Sequence, residues 1–313
     1  MPTKPIEFTS GTPLQFGPFR ITPHLVDHSA YDAYALEVEA DGQRLFYSGD
    51  IRAHGRKAAL FERLVADPPR SIDVILMEGS SFGRLSPDHV FPTETDVEQR
   101  LVDLFQATDG LALVAASAQN IDRMVSLYRA CKRTGRTLII DLYAAEILRA
   151  TENANIPQSD WQNVAVYVPQ YQRIQIKRSG RFDLLDPHKT NRIFVERLED
   201  LAPRAAMLFR PAMLRNLDHA NCLSGARAIW SQWDGYLKQE RGLALLAELK
   251  TRGIPLDHAH TSGHASIPDL KRLAEAIQPK MLVPIHTYEP EQFPAHFQAV
   301  SLKNDGEWWD VPT

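Results

Sequence analysis

Residues 23–55 read PHLVDHSAYDAYALEVEADGQRLFYSGDIRAHG. A short apolar run leads to His28. The next run, AYALEVEA, alternates apolar and polar residues, the pattern of a half-buried strand. Asp41-Gly42 follows and is a hairpin turn signal. The returning run, QRLFYSG, ends in Gly49-Asp50. A histidine and an aspartate thus each stand where a strand ends, the place where side chains of a sheet protein gather into a site. One histidine and one aspartate do not make a metal centre, so the other ligands must be sought elsewhere.

The same placement recurs along the chain. Glu78 ends the apolar strand VILM, where a carboxylate is costly to bury without a partner. His286 ends KMLVPIH. His264 lies in HTSGHAS, a loop ahead of a helix; its small residues Ser262, Gly263 and Ser266 read either as an ordinary capping loop or as an opening through which a phosphate approaches the backbone and the helix N-terminus. Ser117 and Asn120 follow another apolar strand and open a helix, as substrate contacts or as ordinary caps.

Around these points the organisation changes twice. Residues 1–83 are strand-rich: PIEF, LQFGPFRITPHLV, the hairpin above and SIDVILMEGSSFG, with one helix in KAALFERLVAD that proline closes. Residues 84–254 alternate strand and helix, the mark of a parallel sheet. Helices are expected in TETDVEQRLVDLFQATDG, with a threonine cap, and in AQNIDRMVSLYRACKRTG, which Gly135 closes. Strands are expected in LALVAAS, RTLIIDL, WQNVAVYVP and RAAMLFR. SGARAIWSQWDGYL and ERGLALLAELKTRG read as helical or partly so, which would place Trp230, Trp233 and Tyr236 on one face of a helix, in the core or as a stacking platform for bases. Residues 255–313 return to strands at LDHAHTSG and KMLVPIHTY, with the helix SIPDLKRLAEAIQP between them. The fold class is α/β, with an α/β unit inserted between two strand-rich pieces.

Composition narrows the classes. The chain has 313 residues, a formal charge of −4 and 44% apolar residues, enough for a sizeable core. No run approaches the roughly 18 apolar residues of a membrane span. The first residues, MPTKPIEFTSGT, carry no apolar export signal, so a cytoplasmic location is expected. Cys131 and Cys222 form no CxxC pair and are read as reduced thiols. The acidic balance excludes a generally basic coat but leaves room for local basic patches. Two are present: RIQIKRSGR, with Arg173, Lys177, Arg178 and Arg181, and RACKRTGR, with Arg129, Lys132, Arg133 and Arg136. Each reads as a solvated face or as a track for a nucleic-acid backbone.

Three segments, VDHSAYDAYALEVEADGQRLFYSGDIRAHG, VILMEGSSFGR and HTSGHASIPDLKRLAEAIQPKMLVPIHTY, resemble the metallo-β-lactamase-fold nucleases of the β-CASP group, such as ribonuclease J and the mRNA 3′-end processing endonucleases. The resemblance implies a metallo-β-lactamase αββα sandwich carrying a β-CASP-like insert, a two-zinc site and hydrolysis of RNA phosphodiesters. It implies zinc ligation by His28 and His286 and a bridging role for Asp50. Glu78 would be a carboxylate that orients a histidine. His264 would contact the scissile phosphate or move a proton. Imidazole and carboxylate suit zinc.

The family also carries a His-x-His-x-Asp-His motif ahead of the position of His28. No such motif occurs in these 313 residues. His258 and His260 form a pair but lack the Asp-His that should follow. The expectation is therefore a partial sandwich, made of residues 1–83 and 255–313, with the insert over 84–254. The chain would be a piece of a longer enzyme, a subunit that pairs with itself or a partner chain, or a degenerate member that binds without cleaving. Weak or absent activity is expected. The alternatives are a non-catalytic RNA-binding or scaffold subunit and a metallohydrolase of small substrates.

Overall fold

The computed structural model describes residues 6–312. In chain order its elements are β1 (Leu14–Phe16), β2 (Phe19–Leu25), β3 (Tyr34–Ala40), β4 (Gln43–Tyr47), α1 (Ala58–Ala66), β5 (Val74–Glu78), α2 (Glu94–Gln106), β6 (Ala112–Ala115), α3 (Ile121–Thr134), β7 (Thr137–Ile140), α4 (Leu142–Arg149), β8 (Val164–Tyr167) and α5 (Gln170–Ser179). There follow β9 (Arg192–Ile193), α6 (Leu198–Leu201), β10 (Ala205–Leu208), α7 (Leu214–His219), β11 (Arg227–Trp230), α8 (Glu240–Thr251), β12 (Leu256–His258), α9 (Ile267–Ile277) and β13 (Met281–Ile285). The architecture is α/β with two sheets. None of the helices is long and apolar enough to cross a membrane among the described residues.

The chain divides into two compact units. The first comprises residues up to Phe91 and from Ser262 onward; the second is Pro92–Thr261. The first unit holds a six-stranded sheet in the order β1-β2-β3-β4-β5-β13. Strands β1 to β4 pair antiparallel, whereas β4, β5 and β13 run parallel. Because β2 and β4 are both antiparallel to β3, β2, β4, β5 and β13 all point the same way. Their C-terminal ends therefore share one edge of the sheet. One face is covered by α1 and α9: Phe46, Ile75, Met77 and Leu282 pack in one core with Phe61, Leu64, Leu270 and Leu273. On the other face Leu36, Val38, Leu45, Leu76 and Ile285 are only half-buried and Tyr47 is exposed.

The second unit is a seven-stranded sheet, β12-β11-β6-β10-β7-β8-β9, parallel throughout. Strands β6, β8 and β10 are buried at every position, as parallel strands packed on both faces must be. Helix α2 starts in a capping box between Thr93 and Asp96, and Gly135 ends α3 in the left-handed conformation.

Several sequence expectations need correction. RAIW, within the segment read as helical, is strand β11, paired to β6. The buried slot beside β6 selects an extended apolar run, and tertiary pairing overrides the helical spacing. Trp230 is buried, but Trp233 and Tyr236 are 47% and 48% exposed, so they are not core. Of PIEF, Pro5 lies outside the described residues; residues 6–8 pair with no strand, and Ile6 and Phe8 are exposed. The unit boundaries also move. Residues 256–258 belong to the second sheet, because β12 pairs with β11 from Leu256 to His258, so the boundary falls after Thr261 rather than after 254. At the other crossing, Phe91 stays with the first unit, its ring 4.9 Å from that of His54, so the boundary falls after 91 rather than 83.

Candidate metal centre

The shared edge of the first sheet carries the site. β2 runs out through Val26 and Asp27 to His28, β4 through Ser48 and Gly49 to Asp50, β5 ends on Glu78, and β13 is followed by His286. His264 is brought in by the loop ahead of α9. Gly49 is required where it stands: its φ is +57°, and a Cβ would lie 2.9 Å from the Tyr34 carbonyl oxygen. His286 itself is held at φ +48°, a left-handed conformation that histidine tolerates better than most residues. One ligand atom from each of Asp50, Glu78, His264 and His286 lies within 4.8 Å of the others.

Glu78 is fully buried and its carboxylate is saturated. Oε1 accepts from the backbone N–H groups of Ile51 (3.3 Å) and Ala265 (3.2 Å). Oε2 accepts from the N–H (3.3 Å) and hydroxyl (3.0 Å) of Ser80 and from Nδ1 of His264 (3.2 Å). Five donors leave no lone pair for a metal, so Glu78 ties the loop after β4 to the loop before α9 and aims the His264 ring. It is a positioning residue. Burial by itself depresses the affinity of His264 for its proton; the Glu78 hydrogen bond and the Glu78 and Asp50 charges outweigh it and raise the pKa above the ordinary value.

His28 has the opposite electrostatics. Burial is the largest influence and lowers its pKa; the neighbouring His264 adds to that, while the bond to Gly263 opposes it. Its Nδ1 is 2.5 Å from the Gly263 carbonyl oxygen, which only accepts, so Nδ1 carries the hydrogen and Nε2 keeps a lone pair. The His28 and His264 ring centres are 5.5 Å apart, and those of His264 and His286 are 5.1 Å apart. His286 Nδ1 donates to Asp50 Oδ1 at 2.7 Å, on the open side of the cluster, where their side chains are 54% and 39% exposed.

Beneath the cluster lies a support that the sequence reading passed over. Arg52 and Asp27 form an ion pair with both side chains fully buried. Asp27 Oδ2 accepts from Gly55 N–H at 2.7 Å. Arg52 Nη1 and His54 Nε2 both donate to the Ser262 carbonyl oxygen, at 3.1 and 2.9 Å. That carbonyl precedes Gly263 and His264, so the pair fixes the loop that holds His28 and presents His264. The available signal was position: Asp27 abuts His28, and Arg52 and His54 follow Asp50 within four residues.

The other expected contacts separate by unit. Ser262, Gly263 and Ser266 lie at the site. The Ser262 hydroxyl accepts from His264 N–H at 3.0 Å, the Gly263 carbonyl oxygen accepts from His28, and the Ser266 hydroxyl caps α9 through Asp269 N–H. Ser117 and Asn120 belong to the second unit, where the Asn120 side chain caps α3 by accepting from Arg123 N–H at 3.0 Å, and the Ser117 hydroxyl accepts from Gln119 N–H.

The donor set suits one borderline-soft divalent ion. With Glu78 occupied, the groups left in that cluster are the carboxylate of Asp50 and the imidazoles of His264 and His286, donor types that suit zinc; His28 stands next to His264 but outside the cluster. No other group of three such side chains gathers among the described residues, so a second ion finds no ligand set there.

No family model matches the chain. It is similar to the crystal structure of a protein of unknown function from Enterococcus faecalis V583, with 22% identity and a TM-score of 0.74 over 96% of this chain and 66% of that one. Such a likeness speaks for the fold. The chain spans about two thirds of that protein's length.

Proposed function

We propose that the edge of the first sheet is the metal-binding half-site of a zinc-dependent phosphodiester hydrolase of the metallo-β-lactamase, β-CASP kind, with RNA as substrate and weak activity in this chain by itself. The observation that carries the reading is the convergence of His28, Asp50, His264 and His286 around a buried, saturated Glu78. When bound, zinc supplies Lewis-acid activation of water and of a phosphoryl oxygen. Asp50 and His286 would hold it, with His28 as the further ligand that the resemblance implies. Glu78 orients His264, whose imidazolium donates a proton to the departing oxygen. The seven-stranded second unit is the β-CASP-like insert.

The test is zinc content after desalting, with titration calorimetry, on the native chain and on Asp50→Ala and His286→Ala. The expected result is about one zinc per chain, lost in both variants while circular dichroism is unchanged, with slow chelator-sensitive cleavage of single-stranded RNA that disappears in Asp50→Ala. A chain that binds no zinc, or whose RNA cleavage persists in chelator, overturns the reading.

A further inference from the structure

Helix α5 is a basic and mostly exposed segment of the second unit. Only Gln172 and Ile176 of its residues are buried. From Gln170 to Arg181 the chain carries four cations and no carboxylate, in a protein whose net charge is −4. Arg181 pairs with Asp183. Arg173, Lys177 and Arg178 make no ion pair among the described residues. Two acids close to the helix are already engaged: Glu146 with Arg149 and His188, and buried Asp141 with Tyr171 and Gln172 of the helix itself and with Arg210. Unpaired cations on an exposed helix repel one another, and a polyanion relieves that repulsion.

Apolar groups are interleaved with the charges. Tyr171, Ile174 and Phe182 are 36%, 43% and 58% exposed. Tyr171 is anchored, its hydroxyl donating to buried Asp141 at 3.3 Å, and it lines one open groove together with Ile174. Arg178 falls on that same face, seven residues after Tyr171. A membrane-seeking helix segregates its apolar residues from its cations; here they share a face. An acidic peptide would use the cations and leave the rings idle. A single strand of nucleic acid, with a phosphate and an unstacked base in every unit, uses both.

We infer that α5 and the turn after it form a docking surface for single-stranded RNA, with Arg173, Lys177 and Arg178 on phosphates and Tyr171 and Phe182 stacking on bases. The choice of RNA rests on the hydrolase reading above; the surface itself does not.

The test is anisotropy of a labelled oligouridylate with the full chain in excess chelator, so that binding is read apart from zinc and cleavage. Binding should weaken as salt rises from about 50 to 200 mM, with a log–log slope of about −2 for three phosphates. Lys177→Glu combined with Arg178→Glu should weaken it at least about tenfold at the lower salt, and Phe182→Ala about fivefold or more. Melting curves should stay unchanged, since the altered side chains are exposed. Equal affinity of the double variant and the native chain, or preferential binding to phosphatidylserine vesicles, overturns the surface. Equal affinity for oligothymidylate overturns the choice of RNA.

Discussion

Glu78→Gln tests the organisation of the site with almost no change of shape. The carboxylate accepts five hydrogen bonds, two on Oε1 and three on Oε2. An amide supplies one acceptor and one donor in their place. If its NH2 faced Ile51 and Ala265, it would oppose two backbone N–H groups that cannot turn away. It therefore places its oxygen there and its NH2 toward Ser80 and His264. The Ser80 hydroxyl can rotate and accept, and Nδ1 of His264 can accept if the ring's hydrogen moves to Nε2. The Ser80 N–H has no such freedom and is left buried without an acceptor, at a cost of about 1–3 kcal/mol. The melting temperature should fall by roughly 4–8 °C for about 2 kcal/mol. RNA cleavage should fall about 10- to 100-fold, because His264 loses the carboxylate that holds its proton, whereas zinc affinity should stay near the native value, since Glu78 hydrogen-bonds with none of Asp50, His286 and His28. Calorimetry reads the melting temperature and the zinc affinity, and a nitrogen-15 imidazole spectrum reads the His264 tautomer. A variant that melts within a degree of the native chain and keeps the hydrogen on Nδ1 refutes the organising role of Glu78.

Three further outcomes are expected. Asp27→Asn leaves Arg52 buried without its counter-charge and should cost about 3–5 kcal/mol in urea unfolding, whereas Asp27→Leu with Arg52→Met should cost less than the sum of its single variants. Gly49→Ala forces a side chain into a left-handed backbone and against the Tyr34 carbonyl oxygen; it should destabilise by more than about 1 kcal/mol and weaken zinc binding by shifting Asp50. His260, in the second unit, has its pKa depressed to about 4, mainly by burial and then by Arg123, and its Nδ1 has no hydrogen-bond partner. A base with a depressed folded pKa takes up its proton more readily in the unfolded chain. Stability should therefore be full above the unfolded value near 6.5 and decline as pH falls toward 4, by about 2–3 kcal/mol. His260→Gln should flatten that decline; an equally steep decline in the variant assigns the acid sensitivity to another group.

Much of this protein was legible in its residues. The hairpin through Asp41-Gly42, the helices at 94–106, 121–134 and 267–277, and the α/β class follow from periodicity, caps and turns, because those signals act between near neighbours. His28, Asp50, Glu78 and His286 were legible as polar residues at strand ends. The reading failed where a distant partner decides the outcome. RAIW has a helix-like aromatic spacing, yet the vacant edge of β6 makes it a strand. Residues 256–258 look continuous with the site loop, yet pairing with β11 assigns them to the other unit.

By itself, then, the sequence determined the elements, the α/β class and the residue types at one sheet edge, since local propensity and strand direction suffice for these. The tertiary structure alone decided their roles. Burial and five converging donors make Glu78 an organiser instead of a ligand. A carbonyl brought from residue 263 sets the tautomer of His28, and a hidden Arg52–Asp27 pair holds that loop in place. Roles of this kind depend on which groups meet across more than two hundred residues of chain, and only packing brings them together.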